Sequence, residues 1–351
     1  MKMLALMKYG DRAASTRQRL LQFRPYLVDC DIEFINEPLL NNDYLDATFQ
    51  GRRASLKAIV KSYLHRFWML FGLRKFDLIW IQYEMFPYLP GWFEKLVFWS
   101  NKPVVVDYDD AIFHQYDQRV LLQNKLKPLI KGSALTVCGN QYLQDYVNQL
   151  NESTIIVPTV VDIQDYTPSS AVKGEAEPLV IGWIGSPSTW KFLRPMMPLL
   201  SRLAGELGLD IYVVGSNAKE QFPGVKFFDW LEDLEVDMIR KMDIGIMPLP
   251  DEPWARGKCG YKLIQYMACG IPVVASPVGV NVNIVDQDLD GYLATTESEW
   301  DQAIRKLVSD KTMRKQMGER ARQKIVSKYS LQVHGPRLSK ALKAIKSHEL
   351  K

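Results

Sequence analysis

The 351-residue chain holds only four cysteines, Cys30, Cys138, Cys259 and Cys269, and no two of them form a CxxC pair. That scarcity excludes a disulfide-stapled scaffold and a cysteine-based zinc site, and it points to a reducing compartment. No apolar run reaches the ~18 residues that a membrane-spanning helix needs. The opening "MKMLALMKYG" has too short an apolar centre for a secretory leader and reads as a first strand. Charge of one sign is not in excess either. Lysine and arginine number 44 against 40 aspartates and glutamates, a net +4 that is too mild to argue for nucleic-acid binding. A GxGxxG fingerprint and a short-period repeat are both missing, which weighs against a dinucleotide-dependent dehydrogenase and against a solenoid. These absences leave a cytoplasmic protein as the expectation, with contact at a membrane surface still open.

What is present is alternation. Short apolar strands are predicted at 3–9, 31–35, 76–82, 103–109, 134–138 and 154–158, with helical patterns between most of them. The polar stretch "DYTPSSAVKGEAEP" (165–178) then interrupts, rich in Pro, Ser and charge. Alternation resumes with strands at 179–185, 210–216, 225–230, 242–249, 271–276 and 291–295, and helices at 297–308, 310–328 and about 331–347 close the chain. Continuous apolar strands separated by helices indicate parallel sheets covered on both faces. The expected fold is therefore α/β, two Rossmann-like doubly wound domains facing a cleft. Residues 1–165 form the first, 166–178 a linker and 179–330 the second.

Ligands of such sheets bind at loops that leave the carboxyl ends of strands. In "PLPDEPWARGKCGYKLIQYMACG" (248–270), Gly257 and Gly260 allow close backbone approach and Lys258 adds a charge. A helix starting near Gly260 would present free N–H groups to an anion such as phosphate. The alternative is a glycine-rich helix entry with an exposed lysine. A second loop, "GWIGSPSTWKF" (182–192), offers Gly182 and Gly185, the hydroxyls of Ser186, Ser188 and Thr189, one of them a helix cap, and Lys191 in the first helical turn. Its alternative is an ordinary capped helix. Two anion-ready loops in one domain favour a diphosphate. A third loop, "SPVGVNVNIVDQDLDGYLA" (276–294), turns at Gly279, and Asn281 is expected to cap a short helix.

The run "YKLIQYMACGIPVVASPVGVNVNIVDQDLDGYLA" resembles the C-terminal signature of retaining GT-B glycosyltransferases of glycosyltransferase family 4. The likeness covers roughly residues 179–330. "YGDRAASTRQRL" (9–20), "VVVDYDDAIF" (104–113) and "CGNQYLQDYV" (138–147) resemble the N-terminal domain of bacterial polysaccharide members more loosely. The resemblance implies a nucleoside-diphosphate sugar donor, UDP or GDP, with the donor pyrophosphate at Gly185, Ser186, Ser188, Thr189, Lys191, Gly257, Lys258, Gly260 and Tyr261. It implies no metal and no further cofactor. The family motif carries two glutamates eight positions apart. Here they are replaced by Gly257 and Gln265, and the resemblance leaves Gln265 as the ribose contact and Lys258 to stabilise the leaving phosphate. It also implies a catalytic or acceptor-contacting role for Asp109 and Asp110, with His114 nearby, where a carboxylate would accept a proton or stabilise oxocarbenium charge. An Asx turn is the alternative there. Tyr9, Gly10 and Asp11 end the first strand, and Arg17 and Arg19 follow on a helix, where they would meet a phosphate-bearing acceptor or form a solvated face. The last helix, 331–351, is expected to return to the first domain.

One segment stands apart. In "GRRASLKAIVKSYLHRFWMLFGLRK" (51–75), Arg53, Lys57, Lys61 and His65 recur every four residues beside Leu56, Ile59, Val60, Leu64, Phe67, Trp68 and Phe71. The pattern fits an interfacial helix on anionic lipid, or a core-packed helix with a solvated basic edge. An aromatic-rich segment follows at 85–102. The lipid reading implies a lipid-linked glycan acceptor and a peripheral enzyme of surface polysaccharide or lipopolysaccharide synthesis. Rival readings are a nucleotide-sugar epimerase of the same fold and an inactive, glycosyltransferase-like binding or scaffold protein.

Overall fold

A computed structural model describes residues 1–49, 52, 54–169, 174, 177–218 and 220–348. By its contacts the chain divides into two compact units. The first comprises Met1–Thr159, Gly257–Cys259 and the last helix from His334 onward; the second comprises Val160–Arg256 and Gly260–Val333. Of the expected linker at 166–178, residues 170–173, 175 and 176 lie outside the described residues.

The first unit is built on six parallel strands: β1 (Lys2–Tyr9), β2 (Glu33–Leu40), β3 (Leu78–Gln82), β4 (Val104–Tyr108), β5 (Leu135–Cys138) and β6 (Thr154–Ile156). Their spatial order is β2-β1-β3-β4-β5-β6. Strands β3 and β4 are buried along their whole length, which is why they read as largely apolar runs, broken only by Gln82 and Asp107. Strand β2 begins later and runs further than 31–35 suggests. Asp31 turns the chain with φ 57°, and the strand continues through Pro38. An edge position tolerates that proline, because its missing N–H is not needed on the open side. The last helix, Leu331–His348, packs here: Ser339 Oγ donates to the Tyr26 carbonyl at 2.9 Å.

The second unit holds β7 (Val180–Ile184), β8 (Asp210–Val214), β9 (Val225–Phe228), β10 (Ile244–Met247), β11 (Val273–Ala275) and β12 (Gly291–Leu293), all parallel. The order β12-β11-β10-β7-β8-β9 is the doubly wound order of a Rossmann sheet. One face is covered by Leu193, Met197, Leu200, Leu203, Trp300 and Ile304, the other by Leu263, Ile264, Tyr266, Met267, Ala321 and Ile325. All twelve expected strands form. The α/β class with two Rossmann-like sheets, each flanked by helices, is the observed fold.

Candidate functional site

In a doubly wound sheet the crevice lies where the strand order reverses. In the first unit that point is between β1 and β3. Tyr9 ends β1, and the Gly10 N–H continues the ladder by donating to the Leu40 carbonyl at 3.0 Å. Burial pushes the Tyr9 phenol pKa up. Tyr83 follows β3 directly with φ 64°, a left-handed conformation that is uncommon for a bulky residue. Its hydroxyl donates to the Asp109 carboxylate just beyond β4. Burial pushes the Asp109 pKa up to about 7; the Arg19 charge opposes this, and Asp110 and Asp107 add to it. The adjacent Asp110 accepts Lys258 Nζ at 2.9 and 3.2 Å. Two neighbouring carboxylates thus sit in different environments, one short of compensating charge and one paired with an ammonium. His114 is held on both sides, Nδ1 2.6 Å from Asp117 Oδ2 and Nε2 2.8 Å from the Tyr142 hydroxyl.

Arg19 does not face a solvated acceptor surface. It is buried against the equally buried Asp107, with Nη2 2.5 Å from Oδ1 and Nη1 donating to the Val157 carbonyl at 2.8 Å. Burial works against the Arg19 charge, and Asp107 more than restores it. Arg17 stays nearer the surface and donates to the Arg12 carbonyl at 2.6 Å.

The stretch Gly257–Cys259 belongs to the first unit. Asn140 Nδ2 donates to the carbonyls of Gly257 and Lys258 at 3.0 and 3.1 Å, and the Cys259 thiol donates to the Asp109 carbonyl at 3.0 Å. A Cβ on Gly257 would collide with the Cβ of Ala111. Close approach of two backbone segments therefore accounts for this glycine, and Lys258 is directed at Asp110.

The second unit reverses order between β7 and β10. After β7, the Ser186 N–H donates to Thr189 Oγ1 at 3.1 Å, and Ser186 Oγ lies 2.8 Å from Ser188 Oγ. A tight, hydroxyl-lined turn results, and a short helix carrying the exposed Lys191 follows. After β10, Gly260 caps the helix Tyr261–Ala268 with φ 65°, a conformation that costs a side-chain-bearing residue about 1 kcal/mol. Lys262, in the first turn of that helix, holds its ammonium 5.5 Å from the centre of the Trp183 ring. Gln265 is 3% exposed, and its amide donates to Tyr166 Oη at 2.9 Å and Glu235 Oε1 at 2.6 Å. Tyr166 Oη donates to the same Glu235 oxygen at 2.5 Å, and Trp230 Nε1 donates to Oε2 at 2.6 Å. Asn281 makes no cap: it is the first residue of its helix, after Val280, and donates to the Ser276 carbonyl at 3.0 Å. Tyr83, Lys262, Trp230 and Glu235 are absent from the sequence-level candidates. Only the lysine, one turn into an amphipathic helix behind Gly260, carried a local signal.

The helix Leu56–Met69 inverts the usual arrangement. Ser55 caps it, its hydroxyl accepting the Ala58 N–H at 3.5 Å. Arg66 points inward, 1% exposed, with Nη2 donating to the carbonyls of Met7 and Glu37 at 3.0 and 2.7 Å; burial pushes its pKa down to about 10. Leu56, Val60, Leu64, Trp68 and Phe71 point outward, each more than half exposed. Lys57, Lys61 and His65 are exposed beside them, and Arg53 lies outside the described residues. The turn Leu70–Lys75 packs on Glu94–Ser100, which brings the exposed Trp99 to the same region. Buried Glu94 fixes that segment by accepting the N–H groups of Met85 and Phe86 and the ammonium of Lys125. No helix among the described residues is long and apolar enough to cross a membrane.

Two doubly wound parallel sheets, the second carrying a hydroxyl-lined turn and a glycine-capped helix at its switch point, define an α/β protein of the GT-B glycosyltransferase fold class. Residues 178–310 match the family model described as "Glycosyl transferases group 1". Among solved structures, Anabaena HepE in complex with UDP is similar at 16% identity and a TM-score of 0.76, covering 98% of this chain and 100% of that one. Sucrose-phosphate synthase from Thermosynechococcus elongatus is similar at 14% identity and a TM-score of 0.73, covering 99% and 100%. WaaG, a glycosyltransferase involved in lipopolysaccharide biosynthesis, is similar at 14% identity and a TM-score of 0.65, covering 97% and 98%. A comparison with curated proteins found no match.

Proposed function

We propose that the protein is a retaining, metal-independent glycosyltransferase of family 4 that moves a sugar from a nucleoside diphosphate to a glycan acceptor. The observation that carries this reading is the switch point of the second unit. There the Gly185–Thr189 turn, with Lys191 on the short helix after it, offers hydroxyls and a cation, and the helix Tyr261–Ala268 offers its amino end and Lys262, whose ammonium lies over Trp183 of β7. Such a set suits a diphosphate, and it meets the charge that builds on the leaving group. The group 1 match over 178–310 spans these loops, and UDP is the nucleotide in the similar HepE complex. The acceptor belongs to the first unit. Asp109, with its pKa raised to about 7, takes the acceptor hydroxyl proton, and Tyr83 holds the carboxylate in place.

The outward apolar stripe from Leu56 to Phe71, flanked by Lys57 and Lys61, supports a lipid-linked acceptor of surface polysaccharide synthesis and a peripheral position on an anionic membrane. One observation favours a second reading, a binding protein without turnover: Gly257 stands at a position of the glutamate motif and is packed on Ala111, with its neighbour Lys258 paired to Asp110.

A thermal-shift titration with UDP, GDP, ADP and CMP separates these, run beside Lys262→Ala and followed by nucleotide release from the matching sugar donor. A shift of the kind expected for a ligand at a hundred times its dissociation constant, about 2.7 kcal/mol, abolished in Lys262→Ala and accompanied by turnover, supports the transferase. A shift without turnover supports the binding protein. No shift with any nucleotide refutes the donor site.

A further inference from the structure

We propose that Glu235 recognises the ribose of the donor nucleotide, its Oε2 accepting a ribose hydroxyl; this rests on the nucleotide reading of the second unit. Glu235 opens the helix Glu235–Arg240 that follows β9, at the carboxyl edge of the sheet. Its position in the crevice is fixed by Trp230. A Cβ built on Gly215, at the end of β8, would lie 3.0 Å from the Trp230 Cβ and would also collide with the Gly185 carbonyl. The loops after β7, β8 and β9 therefore meet at this point, next to the hydroxyl-lined turn.

The carboxylate is locked from behind. Tyr166 and Gln265, both buried, donate to Oε1 at 2.5 and 2.6 Å, and Trp230 donates to Oε2 at 2.6 Å. A phenol, an amide and an indole are all uncharged, so they fix the orientation of the carboxylate without neutralising it. An ionised carboxylate accepts about four hydrogen bonds. Three are made, and the remaining capacity lies on Oε2. Glu235 itself is part-exposed, while Tyr166 and Gln265 behind it are covered. A rigid group that only accepts suits a hydroxyl and repels phosphate. In a nucleotide the ribose is the part that offers hydroxyls next to the diphosphate, and dinucleotide-binding doubly wound sheets hold a ribose hydroxyl with an acidic side chain in the same way. Gln265, with its amide turned toward Tyr166 and Glu235, acts as a positioning residue for this carboxylate.

The test compares binding of UDP and 2′,3′-dideoxy-UDP by calorimetry to the wild type, Glu235→Gln and Tyr166→Phe. The wild type is expected to prefer UDP by about ten-fold or more, the strength of a hydrogen bond to a charged group. Glu235→Gln should bring the ratio near one, while Tyr166→Phe, which keeps the carboxylate, should retain a preference. Equal binding of both ligands by the wild type overturns the assignment and leaves the donor site standing. Binding of neither overturns the nucleotide reading itself. A folded Glu235→Gln protein that still discriminates also overturns the assignment. Should Glu235→Gln fail to fold, carbodiimide footprinting of the wild type decides: UDP should shield Glu235 from modification and dideoxy-UDP should not, and equal labelling in both refutes the contact.

Discussion

Replacing Asp109 by asparagine removes a single ionisation, and its consequence can be worked from the site. In the folded protein the carboxyl titrates near 7 against an ordinary 3.8. A carboxyl whose folded pKa is raised favours the folded state while it is protonated. Its contribution is complete below pH 3.8 and is lost as pH rises through 7. With these two values, ionisation costs wild-type stability about 2.3 kcal/mol by pH 5.5 and about 4.3 kcal/mol by pH 8. Asparagine keeps an acceptor for the Tyr83 hydroxyl and does not titrate. The stability of Asp109→Asn relative to the wild type should therefore rise by about 2 kcal/mol between pH 5.5 and pH 8. Urea denaturation at four or five pH values, followed by a tryptophan signal, measures that difference, in which the contributions of titrating groups remote from Asp109 cancel. Parallel curves for the two proteins would show that Asp109 ionises as an ordinary surface carboxylate and would remove the basis for its role as a base. The same pKa predicts that wild-type kcat/KM climbs with pH and levels off above about 7.

Arg19→Ala should cost about 3–5 kcal/mol, because Asp107 would be left charged and buried; Asp107→Asn in the same background should recover part of the loss, which denaturation of the four proteins of the cycle reads out. Gly257→Ala should destabilise by about 1–3 kcal/mol through overpacking against Ala111 and leave UDP binding unchanged, since the stretch Gly257–Cys259 packs in the first unit; a selective loss of nucleotide affinity would contradict that. Trp68→Ala combined with Phe71→Ala should abolish sedimentation with vesicles rich in phosphatidylglycerol while melting temperature stays within a degree or two, because both side chains are about 70% exposed; undiminished sedimentation would argue against the lipid face.

The strands were legible because a parallel strand covered on both faces is mostly apolar, and Leu78–Gln82 and Val104–Tyr108 are buried throughout, with Gln82 and Asp107 as the polar exceptions. The helices after 296 were legible through caps such as Thr296 and Asp310, whose side chains accept N–H groups three residues on. Loop positions were legible as far as their location at strand ends. What the local sequence did not show was pairing across long separations. Lys258 and Asp110 are 148 residues apart, Arg19 and Asp107 are 88, and Gln265 and Tyr166 are 99. Periodicity places Arg19 on a helix but does not say that a buried carboxylate awaits it. Burial of Arg66 with exposure of Leu64 and Trp68 runs against the side-chain preferences that sequence reading depends on. Glu235 stayed invisible because, beside the nearby Trp230, its partners Tyr166 and Gln265 lie 69 and 30 residues away.

The first unit is assembled from three separated stretches, with the second supplied almost whole between them. On a ribosome the strands β1 to β6 emerge first, yet the hydrogen bond from Ser339 to the Tyr26 carbonyl, and the cover that the last helix provides there, come only after more than three hundred further residues. The inserted unit has no such wait beyond its own length. The second unit should thus be the first to finish folding, and the nascent first unit should spend that interval with an uncovered flank. Shortening the chain from its far end would then damage the earliest-made part of the protein before the latest.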